Sequence, residues 1–171
     1  ALPVVDVTGQ RIGAPIARPR NIWCIGLNYS DHAAEAGMPV PSEPIMFAKP
    51  GSTLCGPNDP ILRPAHAAKL DWEVELGIII GKPALGIAPE AAMDHVFGYV
   101  AANDVSERAW QIERGGQWVK GKSFPTFNPM GPVVVTKDEF DPADVNLWTK
   151  VDGASRQNSS TKDLIFNVDH I

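Results

Sequence analysis

The sequence has few cysteines and no long apolar run, and each shortage excludes a class of protein. Cys24 and Cys55 are its only cysteines and form no C-x-x-C pair, so we expect both thiols to be reduced and structural. The longest strongly apolar stretch, 76–80, is too short to span a bilayer. Residues 1–10 contain no basic region followed by an apolar one, as a secretory signal would. We therefore expect a soluble, cytoplasmic protein with no membrane partner.

Positive charge is also scarce. Lys and Arg total 15 against 20 Asp and Glu, which gives a net charge of −5, and no basic run is present. This balance has the wrong sign for binding nucleic acid, so we expect no nucleic-acid partner. With 171 residues, of which 44% are hydrophobic, the chain is long enough to bury one core. We expect residues 1–20 to be a lead-in and residues 21–171 to form one domain.

Frequent proline and glycine divide the chain into short segments. The 16 Pro and 15 Gly, without any internal repeat, indicate a strand-rich domain with a few helices. The patterns predict strands at 21–27, 45–48, 70–81, 96–102 and 131–136, helices at 30–36 and 105–114, and a hairpin at 147–157. A further helix is predicted to start within 166–171, with Asn167 as a candidate N-cap. Because that helix has barely begun, we expect the chain to be a fragment of a longer protein.

Two acidic residues on the predicted strand 70–81 are candidate metal ligands. Glu73 and Glu75 are two residues apart, so their carboxylates project from one face with Cα atoms about 6.5–7 Å apart. The opposite face is apolar, and the run Ile78-Ile79-Ile80 indicates a strand that becomes buried on both faces. A hard dication would relieve the repulsion between the carboxylates. The alternative is the solvated face of an antiparallel sheet, and the pair alone does not decide between them.

Asp104 lies where a predicted strand meets a predicted helix, a position that often presents reactive groups. Its carboxylate could join Glu73 and Glu75. It could equally cap the helix predicted from Val105, because Glu107 follows at the spacing of a capping box. Both interpretations stay open at this point.

The segment His32-Ala33-Ala34-Glu35 is a candidate proton-transfer pair. On a helix, the i, i+3 spacing places the imidazole and the carboxylate on one face, where Glu35 could orient His32. The alternative is an ordinary surface pair.

Residues 116–123 match the phosphate-loop pattern G-x-x-x-x-G-K-[ST] in letters only. A phosphate loop follows a buried strand and opens a helix, whereas 111–114 is polar with helical tendency and Pro125 follows closely. We reject nucleotide binding and interpret Lys122 as a point charge for a substrate carboxylate or an enolate oxygen.

Together these segments resemble the fumarylacetoacetate hydrolase family over residues 21–171. Five motifs occur in the family's order and approximate spacing: Gly26-Leu27-Asn28-Tyr29 with His32-x-x-Glu35, Phe47-Ala48-Lys49-Pro50, Asp71-Trp72-Glu73-Val74-Glu75-Leu76, Asn103-Asp104-Val105-Ser106-x-Arg108, and Gly121-Lys122-Ser123-Phe124. The resemblance implies a β-rich α+β fold with a rolled, partly closed mixed sheet and a few short helices, usually as a homodimer.

The resemblance also implies roles for individual residues. Mg²⁺ or Mn²⁺ would be held by Glu73, Glu75 and Asp104. Water would be activated by His32 with Glu35, and Lys122 would stabilise a developing enolate. Three further residues would bind the substrate's carboxylate and carbonyl oxygens: Lys49, Arg108 and Gln111.

The reaction implied is hydrolysis of a carbon-carbon bond in a 2,4-diketo acid, giving pyruvate and a carboxylic acid. The stretch 106–123 resembles members that act on diketo-deoxy sugar acids or acylpyruvates. Decarboxylation of oxaloacetate or keto-enol isomerisation on the same metal site is the alternative. The family's later Gly- and Thr-rich segment does not follow Ile171, so an inactive homologue is a further alternative.

Overall fold

The computed structural model describes residues 3–171, and short strands dominate it. The strands are β1 (Ile22–Gly26), β2 (Ile45–Lys49), β3 (Leu54–Cys55), β4 (Leu70–Asp71), β5 (Val74–Ile80), β6 (Val96–Asn103), β7 (Ser106–Glu107), β8 (Asn128–Pro129), β9 (Val135–Thr136), β10 (Asn146–Val151) and β11 (Ala154–Ser160). The helices are α1 (Ser30–Glu35), α2 (Ala92–His95), α3 (Arg108–Ile112) and α4 (Val119–Lys122). No helix in the described range is long and apolar enough to cross a membrane.

The strands form several small sheets. Strands β5, β6 and β9 make an antiparallel sheet with β6 in the centre. The pairs β1–β2, β4–β7 and β10–β11 are antiparallel, and β3–β8 is parallel. The predicted β-rich α+β fold with a few short helices is confirmed, although no sheet closes on itself within residues 3–171.

Local turn chemistry was predicted correctly at the hairpin β10–β11. Asp152 and Gly153 both have positive φ, 51° and 79°, the geometry that joins two strands through a two-residue turn. Helix α1 also forms where predicted, and Gly37, with a φ of 63°, follows its end.

Four predicted elements differ from the structure. The predicted strand 70–81 is interrupted between β4 and β5. The predicted strand 131–136 is shortened to β9, since Pro132 has no N–H to donate to a neighbouring strand. The predicted helix 105–114 is shortened to α3, because Ser106 and Glu107 pair with β4 instead. At 166–171 the chain forms one turn, in which the N–H groups of His170 and Ile171 donate to the Asn167 carbonyl.

The apolar core packs around β6. It includes Val96, Tyr99, Val100, Val105, Phe127 and Met130, all buried. Several charged and polar side chains are buried as deeply, among them Lys49, Asp104, Glu107, Gln111 and Lys122. Buried charges of this kind need partners, and those partners define the candidate site.

Candidate active site

The antiparallel register of β5 and β6 brings two acidic residues together. Val74 pairs with Asn103, so Glu73 just before β5 lies beside Asp104 just after β6. The Asp104 N–H donates to the Glu73 carbonyl at 2.9 Å, and the Glu73 N–H donates to the Asn103 side-chain oxygen at 3.0 Å. Both residues therefore lie where the β5–β6 ladder gives way to the β4–β7 ladder.

Two buried lysines neutralise these carboxylates. Lys122 Nζ donates to Glu73 Oε2 at 2.6 Å and to Asp104 Oδ2 at 2.8 Å. Lys49 Nζ forms an ion pair with the other Asp104 oxygen and donates to the Val105 carbonyl at 3.2 Å. Only 1% of Lys122 and 2% of Lys49 is exposed. Burial lowers the pKa of Lys49, and the Asp104 carboxylate opposes that shift.

Arg108, at the start of α3, connects the two ladders. Its Nη1 lies 2.6 Å from Glu73 Oε1, and its Nε donates to Asp71 Oδ2 at 2.8 Å. Gln111, one turn further along α3, accepts from Arg108 Nη1 at 3.0 Å. Burial works to lower the pKa of Arg108, but Glu73 and Asp71 raise it above its ordinary value.

Glu75 is the unpaired carboxylate of the site. It is half-buried, and no hydrogen bond to its side chain is found among residues 3–171. Burial first, and then repulsion from Glu73 and Asp104, raises the pKa of Glu75 well above its ordinary value. In this arrangement the group either keeps its proton or requires a further cation.

We call the carboxylate cluster the following seven residues: Asp71, Glu73, Glu75, Asp104, Lys49, Arg108 and Lys122. When all are ionised, four negative charges face three positive ones. One negative charge is left over, and Glu75 is where it lies. Binding a divalent cation would change the net charge of the cluster from −1 to +1, which suits an anionic substrate.

The predicted metal ligands fit a hard cation by their chemistry. Glu73, Glu75 and Asp104 supply only carboxylate oxygens, which Mg²⁺ and Mn²⁺ prefer. Within the described range, however, no three His, Cys, Asp or Glu side chains already form a metal-binding group. The Lys122 ammonium lies between Glu73 and Asp104, so ion binding requires it to move. The metal role of the three carboxylates stays a prediction.

The helix-cap alternative for Asp104 is wrong. Helix α3 begins at Arg108, and Glu107 caps it by accepting from the Trp110 N–H at 2.7 Å. The other Glu107 oxygen accepts from the N–H groups of Ala68 and Lys69 at 2.9 and 2.6 Å. Glu107 thus ties the segment before β4 to the helix that carries Arg108.

Replacing Glu107 with glutamine is expected to lower the free energy of unfolding by about 1–3 kcal/mol, because the new NH₂ group must face a buried backbone donor. Burial alone would raise the pKa of Glu107, yet its three backbone donors hold it below the ordinary value. The wild-type advantage should therefore be present at neutral pH and vanish as the pH falls through that lowered pKa. Urea unfolding across pH measures this. Exposed Glu43→Gln is the control, and equal stability of Glu107→Gln and wild type would contradict the prediction.

The predicted pair His32 and Glu35 lies outside the carboxylate cluster. Both side chains are exposed on α1, and no hydrogen bond between them is found among residues 3–171. Tyr29, which precedes α1, is close to the cluster. Burial is the larger cause that raises the pKa of its hydroxyl, and the charge of Glu75 raises it further. Helix α1 therefore starts beside the cluster, but the role of His32 and Glu35 in activating water stays a prediction.

Sequence reasoning missed one residue of this site and correctly interpreted a neighbouring one. Asp71, half-buried, holds Arg108 in place, and its position in the same motif as Glu73 was the available signal. Cys24 on β1 lies in the field of the cluster: burial first, then Asp104, raises the pKa of its thiol to about 12. A thiol with that pKa stays protonated, which agrees with the predicted structural role.

Packing explains why a glycine occurs in the stretch that matches the phosphate-loop pattern. The stretch 116–123 follows α3 instead of a strand and contains α4. A Cβ atom at Gly121 would lie 2.4 Å from the Glu107 carbonyl oxygen, so glycine lets α4 pack against β7 and α3. This contact places the next residue, Lys122, in the cluster.

Comparison with known proteins gives the same family as the motifs. A family model described as fumarylacetoacetate (FAA) hydrolase C-terminal matches residues 21–171. A protein of Burkholderia multivorans named "Putative hydrolase" is 56% identical over 164 residues, which are 95% of this chain. The chain spans 58% of the length of that relative.

Two solved structures have the same fold. A fumarylacetoacetate hydrolase from Exiguobacterium antarcticum is 45% identical with a TM-score of 0.83, covering 92% of this chain and 57% of that one. A 5-carboxymethyl-2-hydroxymuconate delta-isomerase from Mycobacterium smegmatis is 40% identical with a TM-score of 0.83, covering 94% and 62%.

Proposed function

This chain belongs to the fumarylacetoacetate hydrolase family, an enzyme family with hydrolase and isomerase members, and from that premise we propose a specific reaction. The chain carries the active site of a divalent-metal-dependent hydrolase that cleaves a 2,4-diketo acid, an acylpyruvate or a diketo-deoxy sugar acid, into pyruvate and a carboxylic acid. The observation that supports this proposal is the carboxylate cluster, with its unpaired Glu75 and its buried Lys122.

The chain's own residues would bind and orient the substrate. In our proposal the N–H groups of Lys49, Arg108 and Gln111 donate to the carboxylate and keto oxygens of a keto acid. Mg²⁺ or Mn²⁺ held by Glu73, Glu75 and Asp104 would supply a Lewis acid for the same oxygens. When the ion binds, the Lys122 ammonium leaves its position between Glu73 and Asp104, and it then donates to a neighbouring substrate oxygen.

Bond cleavage then needs a nucleophile and an electron acceptor. In our proposal His32, oriented by Glu35, takes a proton from water, and the hydroxide adds to the distal keto carbon. The carbon-carbon bond breaks, its electron pair passes to the pyruvate part as an enolate, and a Lys122 N–H donates to the enolate oxygen. The proton that His32 took from water passes to the enolate carbon, which releases pyruvate and leaves His32 neutral again. Since His32 is exposed in this structure, α1 must approach the substrate for the step to occur.

Keto-enol isomerisation is the second candidate. It uses the same enolate stabilisation by Lys122 and needs no water. Two observations favour it: a 40% identical structure is named as an isomerase, and the exposed His32 side chain makes no hydrogen bond or ion pair with the carboxylate cluster in the described residues. Decarboxylation of oxaloacetate would use the same groups.

Turnover of an acylpyruvate by the purified chain, followed by loss of its ultraviolet absorbance, tests the proposal. EDTA is expected to abolish turnover and added Mg²⁺ or Mn²⁺ to restore it, because the carboxylate cluster lacks one unit of positive charge without the ion. Full activity in EDTA would refute the metal requirement. No activity with either ion would favour the inactive homologue.

The variant His32→Ala separates the two candidates. A hydrolase should lose its reaction by roughly 10²–10⁴-fold when its general base is removed. An isomerase or decarboxylase should retain turnover of its own substrate. The matched control is His66→Ala, since His66 is exposed and lies on a different segment.

A further inference from the structure

The Gln157 side chain reaches from β11 to β5, at the residue between two predicted metal ligands. Its Oε1 accepts from the Val74 N–H at 2.9 Å, although the two residues are 83 positions apart in the chain. Because the N–H is a donor, the oxygen of the carboxamide faces it and not the NH₂ group. Gln157 is half-buried and carries no charge. It therefore holds the backbone between Glu73 and Glu75 without adding to the negative charge of the carboxylate cluster.

The backbone of this stretch has little support from neighbouring strands. β5 is an edge strand of its sheet, and Glu73 lies in the interruption between β4 and β5. Two carboxamide side chains accept from consecutive N–H groups there. Asn103 on β6 accepts from the Glu73 N–H at 3.0 Å, and Gln157 accepts from the Val74 N–H. Side chains from β6 and β11 thus satisfy backbone donors that the strands themselves leave without acceptors.

A β-bulge brings Gln157 to this position. In the β10–β11 ladder Thr149 pairs with Gln157 and Lys150 pairs with Ser155, so Arg156 is the extra residue. In a regular hairpin Arg156 would pair with Thr149. Because neighbouring residues of a strand face opposite sides, Arg156 would then take the place of Gln157. The bulge leaves Arg156 exposed and turns the neutral carboxamide towards β5.

The position of Glu75 depends on this backbone contact more than that of Glu73 does. The Glu73 carboxylate is fixed by ion pairs with Arg108 and Lys122, both at 2.6 Å. The Glu75 side chain has no hydrogen bond among residues 3–171, so the course of β5 decides where its carboxylate lies. The two carboxylates project from one face only while residues 73–75 stay extended, because a turned peptide unit would rotate one of them away.

We propose that Gln157 is a positioning residue for the cation site: its hydrogen bond with Val74 keeps Glu75 on the same side of β5 as Glu73, and thereby sets the affinity for Mg²⁺ or Mn²⁺. Gln157 acts through the backbone of Val74 and not as a ligand. The inference rests on the proposed function for its cation, whereas the backbone contact is measurable without the ion.

Gln157→Met tests the contact, because methionine has a similar length and cannot accept the hydrogen bond. In EDTA, amide hydrogen exchange followed by NMR should be at least about 5-fold faster at Val74 than in wild type, the worth of one hydrogen bond. Calorimetric titration with Mg²⁺ should give a dissociation constant about 10-fold higher, as expected for a group that orients metal ligands. Asn158→Met is the matched control at the exposed neighbouring position, and it should leave both values unchanged.

Two further variants separate positioning from a general loss of stability. Val96→Ala removes buried atoms opposite Ile80, at the other end of the β5–β6 ladder from Val74. It should lower the melting temperature and leave the dissociation constant for Mg²⁺ unchanged. Gln157→Glu retains an oxygen acceptor, so it should restore slow exchange at Val74.

Wild-type exchange at Val74 or a wild-type dissociation constant in Gln157→Met would overturn this inference and leave the proposed function unaffected. An equal loss of Mg²⁺ affinity in Val96→Ala would also overturn it, since the effect would then follow stability alone. Exchange in Gln157→Glu as fast as in Gln157→Met would contradict the hydrogen bond itself. If the wild-type chain binds neither Mg²⁺ nor Mn²⁺, the metal requirement of the proposed function fails, and the cation role of Gln157 fails with it.

Discussion

Replacing Lys122 with methionine should lower the free energy of unfolding by about 3–5 kcal/mol, the largest single effect expected in this protein. Methionine fills a similar volume but leaves Glu73 and Asp104 without the ammonium that donates to both. Arg108 still pairs with Glu73 and Lys49 with Asp104, but the excess negative charge of the cluster rises from one to two, which is costly where the carboxylates have lost solvation. Urea unfolding followed by tryptophan fluorescence measures the change. Under the proposed reaction, turnover should also fall by about 10²–10³-fold, since one donor to the enolate is lost.

Lys120→Met is the matched control. Lys120 lies in the same short helix, α4, but is exposed, and its ammonium donates to the Arg114 carbonyl. Its replacement should change stability by less than about 0.5 kcal/mol. Mg²⁺ should stabilise Lys122→Met more than it stabilises wild type, because the ion no longer competes with an ammonium between Glu73 and Asp104. Wild-type stability of Lys122→Met in EDTA would show that the lysine does not neutralise this pair.

Glu75→Gln should abolish the stabilisation of the protein by Mg²⁺. In wild type, an ion at 100 times its dissociation constant adds about 2.7 kcal/mol by linkage. For a chain of this size that corresponds to a rise in melting temperature of roughly 5–10 °C. Glutamine removes the negative charge that the cluster has in excess, so the rise should disappear. Differential scanning calorimetry with and without Mg²⁺ measures it.

Without metal, the free energies of unfolding of wild type and Glu75→Gln should differ in the opposite direction, with Glu75→Gln the more stable of the two. Because the folded-state pKa of Glu75 is raised, the folded protein holds more protons than the unfolded one between the ordinary pKa and the raised one. Wild-type stability in EDTA should therefore fall as the pH rises through that interval, and Glu75→Gln should lack this decline. Glu113→Gln, at an exposed carboxylate, should keep both the Mg²⁺ response and the decline. An unchanged Mg²⁺ response in Glu75→Gln would remove this residue from the metal site.

Local features of the fold could be predicted from the sequence. The Asp152-Gly153 pair predicted the β10–β11 turn, since both residues tolerate positive φ. The apolar alternation predicted β5. The family motifs selected Lys49, Arg108 and Lys122, which the structure brings into contact with the predicted carboxylates.

Features that depend on remote partners could not be predicted. The strand predicted over 70–81 is interrupted because its first part pairs with β7 and its second with β6. Glu107 has the spacing of a residue in a capping box, but only its contacts with Ala68 and Lys69 show that it is a buried cap. The Tyr99 hydroxyl has no hydrogen-bond partner in the described part of the chain, and nothing in the sequence predicts this.

The sequence by itself determined which charged groups this protein has, which turns they flank and which family it resembles. The tertiary structure decided which charge neutralises which: Lys49 and Asp104 are 55 residues apart, and Lys122 and Glu73 are 49 apart. It also decided that Glu75 has no partner among residues 3–171, while His32 and Glu35 lie in solvent. The physical reason is that the energy of a charge depends on its solvation and on its distance from other charges. Both are properties of the packed chain and not of any segment of it.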